Sequence, residues 1–347
     1  MHRLIILLAL AAIAFAPSSS AGPFTIAFGS CLRQEEAQPV WRSLLALAPD
    51  ALVLGGDNVY TDNGSYARRP EPARIGTAYA ELAANPDWSA LRARIPVYAT
   101  WDDHDYGRND GGADYPWKTE SKAFFMDFFK VPPESPLRSR EGIHDAHWLQ
   151  HQGHRIQLIL LDTRSFRSPL VPARPSLACP RVRWGPNEAP EATMLGATQW
   201  RWLEERLAEP ADMHVLVSSI QVIPEEHCYE KWANFPRERE RLLALLARTR
   251  APSVILSGDR HLGEISRIAL PGHTQPLLEL TSSGLNSGGA GAGESNRYRA
   301  LATNVSVDNF ATLAADWPGK ALRLRLALHG ADGLVLQQLE AVYPADR

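Results

Sequence analysis

Four short apolar runs in this chain end in side chains able to hold a metal ion. AFGSC ends at Cys31, VLGGDNVY carries Asp57 and Tyr60, VYATWDDHD carries Asp103, His104 and Asp105, and ILSGDRH carries Asp259 and His261. Each run is β-branched or alanine-rich and bounded by Gly or Pro, the pattern of a buried strand whose end delivers side chains into a cleft. Phenolate and thiolate together suit a charge-rich ion such as ferric iron, whereas clustered carboxylates favour oxygen-loving cations such as calcium. A two-metal centre is therefore expected. Such centres clamp a phosphoryl group, activate a water or hydroxide and absorb charge on the attacking and leaving oxygens, so the implied chemistry is phosphoester hydrolysis.

His104 stands between carboxylates, and Asp105 beside it is expected to hold one ring nitrogen while the other faces substrate, as a general acid requires. Arg164 follows Asp162 and is the candidate to fork onto a phosphate oxygen, a surface ion pair being the alternative. His144, His147, His151 and His154 read as surface residues of a hairpin rather than ligands. A GxSxG elbow is absent, which removes support for a serine-triad hydrolase.

The ordered motifs GSC, GDNVY, WDDHD and SGDRH, with DTRSFR at 162–167 and TSSGLN at 281–286, resemble the alkaline phosphatase D (PhoD-like) family of metallophosphoesterases over most of residues 24–290. The resemblance implies an α/β fold, a β-sandwich of two mixed sheets flanked by helices. It implies that Asp57 bridges two ions: Cys31, Asp57, Tyr60 and His261 around a ferric ion, and Asp57, Asp103 and Asp259 around calcium, with magnesium or manganese as alternatives. Asp103 is chosen over Asp102 because it matches the asparagine position of the broader superfamily, and Gln221 is a weak further candidate. His104 is implied as the general acid. The implied substrate is a phosphodiester, with monoesters also possible, carried by a small molecule, lipid or polymer. Alternatives are a phospholipase D-like or nuclease specialisation of the same site, or a non-catalytic metal- or phosphate-binding protein.

The chain has 347 residues, 45% hydrophobic and 22% charged, ample for a large core. His2 and Arg3 precede a 13-residue apolar stretch and small residues up to Ala21, which reads as a secretory signal over 1–21. The stretch is shorter than the ~20 residues of a spanning helix, so no membrane anchor is expected after its removal. No twin arginine is present, favouring the general secretory route to a periplasmic or extracellular location. Without 1–21 the chain holds 35 basic and 39 acidic side chains, giving no case for nucleic-acid binding. If Cys31 is a ligand, Cys179 and Cys228 are left to pair in an oxidising compartment; three buried thiols are the alternative. The oligomeric state is not legible.

The ligand motifs run from Cys31 to His261, which argues for one catalytic unit over 22–347. Helices are expected at Gln38–Ala48, Ala78–Arg94 with an interruption near Pro86, and Lys118–Lys130 with a phenylalanine stripe facing the core. Strands at 146–151 and 155–162 form a hairpin about Gln152-Gly153. Residues 163–196, with five arginines and six prolines, read as a long loop, a lid or substrate rim. Trp200, Leu203 and Leu207 mark a helix, followed by a strand at 214–219, a helix at 237–248 and a strand at 253–256. Beyond His261 successive strands without helices imply two sheets.

Overall fold

The computed structural model describes residues 22–69, 71–174, 184–289 and 291–344. The expected signal over 1–21 and Cys179 lie outside the described residues.

Strands β1 (Phe24–Gly29), β2 (Ala51–Gly55) and β3 (Val97–Thr100) run parallel, because helices intervene: α1 (Val40–Leu47) between the first two, α2 (Ala73–Ala83) and α3 (Pro86–Arg92) before the third. The expected helix over 78–94 is two. Asn85 ends the first and caps the second, its side chain accepting the Asp87 and Trp88 N–H groups at 2.9 and 3.1 Å, with Pro86 in the first helical turn where its missing N–H costs nothing.

Helices α4 (Asp103–Tyr106), α5 (Lys118–Phe128) and α6 (Pro136–Ser139) lead to the hairpin β4 (Asp145–His151) and β5 (His154–Leu160). Its turn residues Gln152 and Gly153 have φ of 49° and 86°, the left-handed pair that matches strand twist. His144, just ahead of β4, departs from the expected surface position. It is 2% exposed, against the Trp202 ring at 4.7 Å.

The expected loop 163–196 contains a two-residue ribbon, β6 (Val171–Pro172) with β7 (Trp184–Gly185), before α7 (Gly196–Leu207). Next come β8 (Met213–Ser218), α8 (Pro236–Leu246), β9 (Ser253–Ser257), β10 (Gly263–Ile268) and β11 (Leu277–Ser282). The antiparallel meander β12 (Asn309–Asp316), β13 (Leu322–Gly330) and β14 (Val335–Tyr343) closes the chain.

Two six-stranded sheets result, in the orders β14-β13-β12-β1-β2-β3 and β10-β11-β9-β8-β5-β4. Phe28, Val53, Leu158, Val215, Leu256 and Leu326 fill the space between them. On one outer face, α1, α3 and α5 bury Trp41, Trp88 and Phe125; on the other, α7 and α8 bury Trp200, Leu203, Leu242 and Leu246. The architecture is a four-layer α/β sandwich of two mixed sheets. No described helix is long and apolar enough to cross a membrane.

His214 on β8 is 2% exposed, and burial lowers its pKa to about 4. An unfolded histidine titrates near 6.5, so the stability this group contributes is full above that pH and is lost as pH falls toward 4. Between pH 7.5 and 5 this amounts to about 2 kcal/mol. The denaturant midpoint of His214→Leu is expected to fall less over that interval than that of the wild type, and an equal fall would remove His214 as the cause.

Candidate metal centre

The parallel strands β1, β2, β3 and β9 all end on one side of the sandwich, and each hands the chain to a tight turn. Four residues there have left-handed backbones without being glycine: Cys31 at φ 62°, Asp57 at 49°, Asp259 at 71° and His261 at 54°. Such conformations cost roughly 1–3 kcal/mol each and persist where the surroundings over-determine them. Here Cys31 N–H donates to Gly56 O at 3.3 Å, Leu32 N–H to Asp57 O at 2.9 Å and His261 N–H to Ser283 Oγ at 2.7 Å. Gly56, at φ 106°, lies so close to the β3 end that a Cβ on it would come within 2.5 Å of Asp102 Cβ. That close approach brings Asp57 beside the WDDHD segment.

Cys31, Asp57 and His261 each offer a ligand atom within 4.8 Å of the others. The Cys31 Sγ is 3.4 Å from Asp57 Oδ2, and the buried Tyr60 hydroxyl is 2.9 Å from His261 Nε2. The four residues expected around one ion are thus brought together. Burial pushes the Cys31 thiol up to about 11 and, with Arg260, His104 and Arg33, pulls His261 down to about 4. His261 is accordingly a neutral nitrogen donor, and a bound cation would reverse the thiol's preference for its proton.

Asp57 also groups with Asp103 and His104, and Asp103 with Asp102 and Asp259, each set again within 4.8 Å. Burial, followed by the neighbouring acids, raises the Asp57 carboxyl well above its ordinary range; burial brings Asp259 to about 7. Buried oxygens Asp102 Oδ2, Asp103 Oδ1 and Asp259 Oδ2 accept no hydrogen bond, the last having only Arg260 Nη1 beside it at 3.5 Å. Orphaned buried carboxylate oxygens are costly unless paired or bound to metal. This donor set fits two adjacent cations, one on the Cys31 side and one held by carboxylates. Asp102 and Asp103 both point oxygens into the second cluster, so the expected choice between them is not forced by geometry. The Gln221 amide nitrogen donates to Glu264 at 2.8 Å and Thr281 at 3.0 Å, and its buried Oε1 has no hydrogen-bond partner.

His104 belongs to the group with Asp57 and Asp103, its ring 4.3 Å from that of Tyr60. Its Nδ1 meets Asp62 Oδ1 at 2.5 Å, and Asp62 Oδ2 accepts the Asn109 N–H at 2.5 Å. Burial opposes its charged form, but Asp103, Asp57 and Asp62 together raise its pKa well above the ordinary value.

The expectation that Asp105 orients His104 is not met. Asp105 is on α4 immediately after His104, and successive helical side chains diverge. Its carboxylate instead accepts the backbone N–H groups of Asp102 at 2.7 Å, Asp57 at 3.3 Å and Asn58 at 3.2 Å, tying the β2 and β3 ends together. Asp62 takes the expected place.

Arg164 is likewise displaced from its expected role. Asp162 Oδ1 accepts the Arg164 and Ser165 N–H groups at 2.9 Å, and this turn leaves the arginine 0% exposed. Its guanidinium pairs with Asp102 through Nε at 2.7 Å and with Glu230 at 2.6 Å, both of them buried.

Three positions of the candidate site escaped sequence reasoning. Asp62 is two residues past Tyr60, and only the fold of that loop shows it reaching His104. Asp110 and Glu230 join Asp103 in a further acidic group. Asp110 extends the WDDHD segment and was within reach of its acidic character; nothing around Glu230 marked it.

A family-wide sequence model described as PhoD-like phosphatase matches residues 26–316. Nothing among the curated proteins matches. Of solved structures, the chain is similar to one titled GAP50, the anchor in the inner membrane complex of Plasmodium, at 11% identity and a TM-score of 0.58, over 94% of this chain and 90% of that one. It also aligns with a 5'-nucleotidase precursor from Thermus thermophilus at 13% identity and a TM-score of 0.40, over 93% of this chain and 54% of that one. At these identities the likeness concerns the fold alone. The sequence match spans most of the chain, including all four strand ends of the metal centre, and by it the chain belongs to the PhoD-like phosphatase family.

Proposed function

We propose that this metal-dependent phosphatase hydrolyses phosphodiesters, and phosphomonoesters as well, after export from the cytoplasm. The observation that carries the reading is a chain of three ligand clusters, Cys31 with Asp57 and His261, Asp57 with Asp103 and His104, and Asp102 with Asp103 and Asp259, joined through Asp57 and Asp103. Cys31, Tyr60 and His261 suit ferric iron at one position, and the carboxylates of Asp103, Asp259 and Asp102 suit calcium, magnesium or manganese at the other. When bound, such a pair supplies positive charge to the phosphoryl oxygens and an activated water. The chain's own residues do the rest. Asp57 would hold the two positions together, Asp62 takes the Nδ1 side of His104, and the opposite ring nitrogen is assigned the proton for the departing alcohol. The apolar leader within 1–21 supports export, as does Cys228, which is disulfide-bonded. Residues 22–347 are read as one catalytic unit.

Chelation is expected to abolish turnover of an aryl phosphodiester, with the untreated protein faster on the diester than on the corresponding monoester. Chelator-insensitive turnover would sink the metal-dependent reading, and a faster monoester would reverse the preference. His104→Asn is expected to retain metal and lose on the order of 10²-fold or more in rate for esters with poor leaving groups; undiminished turnover of those esters would exclude it as the acid. Iron-loaded protein is expected to be coloured by charge transfer from Tyr60 and Cys31. Tyr60→Phe should shift or abolish that band with the fold intact, and an unchanged spectrum would take Tyr60 out of the centre.

A further inference from the structure

Arg164 is buried in its ion pairs, which leaves open how the site recognises the charge of its substrate. Arg33, two residues beyond Cys31, is placed to do this. Its backbone is clasped by the buried Asn286 side chain, which accepts the Arg33 N–H at 2.7 Å and donates to the Arg33 carbonyl at 2.9 Å. Its guanidinium carbon lies 5.2 Å from the centre of the Tyr60 ring. That ring has its hydroxyl 2.9 Å from His261 Nε2 and its face against His104, so Arg33 overhangs the junction of the Cys31 cluster with the proton donor.

Most of the other described cations around the centre are buried in pairs of their own. Arg164 and Arg167 are buried against Asp102 and Glu230, and Arg260 is buried against Glu294 and Asp259. Lys231 is 5% exposed and donates to Tyr229 O at 3.0 Å; Arg108 is in a surface pair with Asp114 at 2.8 Å, and it lacks the placement of Arg33 over the Tyr60 ring. Arg33 has Glu36 at 3.8 Å, with the two side chains 37% and 51% exposed, a loose surface pair that an incoming anion displaces at little cost. A planar guanidinium presents parallel donors that match two oxygens of one phosphoryl group.

We propose that Arg33 is a specificity-determining residue that engages the non-bridging phosphoryl oxygens of the bound ester at the mouth of the centre. The inference rests on the phosphoesterase reading above. Because the contact exists before and during the reaction alike, it acts on binding more than on the chemical step.

The test uses metal-loaded full-length protein, with inorganic phosphate as the calorimetric probe and an aryl phosphodiester as substrate. Arg33→Gln is expected to weaken phosphate binding and raise KM by about 10-fold or more, with kcat within about 3-fold and metal content unchanged. Arg33→Lys should recover part of the loss, which a merely structural role would not produce. Unchanged phosphate affinity and KM in Arg33→Gln, or a loss confined to kcat, would overturn the proposal. A wild-type protein that binds phosphate but turns over no ester would count against the proposed function instead, since the calorimetric comparison still reads Arg33 directly.

Discussion

Like charges gathered out of water are the constraint around which this structure is organised. Asp57, Asp102, Asp103 and Asp259 are all buried or nearly so, in two groups that share Asp103 and each bring their ligand atoms within 4.8 Å. A carboxylate cannot stay ionised in such surroundings without opposing charge, and burial accordingly drives Asp57 and Asp102 well above the ordinary carboxyl range. Bound cations would supply the opposing charge.

Much of the surrounding architecture serves to hold that arrangement. Asp105 spends its carboxylate on three backbone N–H groups, joining the turns after β2 and β3. Arg164 saturates one oxygen of Asp102, aided by Ser219 at 2.5 Å, and leaves the other unpaired toward Asp103 and Asp259. Glu230 in turn neutralises Arg164 and Arg167. Left-handed backbones at Cys31, Asp57, Asp259 and His261 turn their side chains into the cleft at the strand ends. The helices on the outer faces contribute indirectly, by burying Trp41, Trp88 and Trp200 and so fixing the sheets from which those ends project.

The fold was legible to the degree that it depends on local pattern. Apolar runs bounded by Gly and Pro located β1, β2, β3, β8 and β9, and Gln152-Gly153 located the hairpin turn. Pro86 signalled a break but not that Asn85 caps a new helix there. His144 was misplaced because its approach to Trp202 joins the hairpin to α7, a contact with no sequence signal.

The sequence by itself determined that Cys31, Asp57, Tyr60, Asp103, Asp259 and His261 meet: they lie within a few residues of their strands, and a strand end carries those residues to a predictable edge of the sheet. Tertiary structure alone decided what each polar partner does. Asp105 adjoins His104 yet points away, because neighbouring helical positions diverge, while Asp62, 42 positions earlier, supplies the hydrogen bond. Arg164 follows a strand end like the ligands, but the Asp162 turn sends it inward, and Arg33 is left at the mouth. Hydrogen-bond partnership depends on direction and distance in three dimensions, and chain adjacency constrains those only within a turn or two.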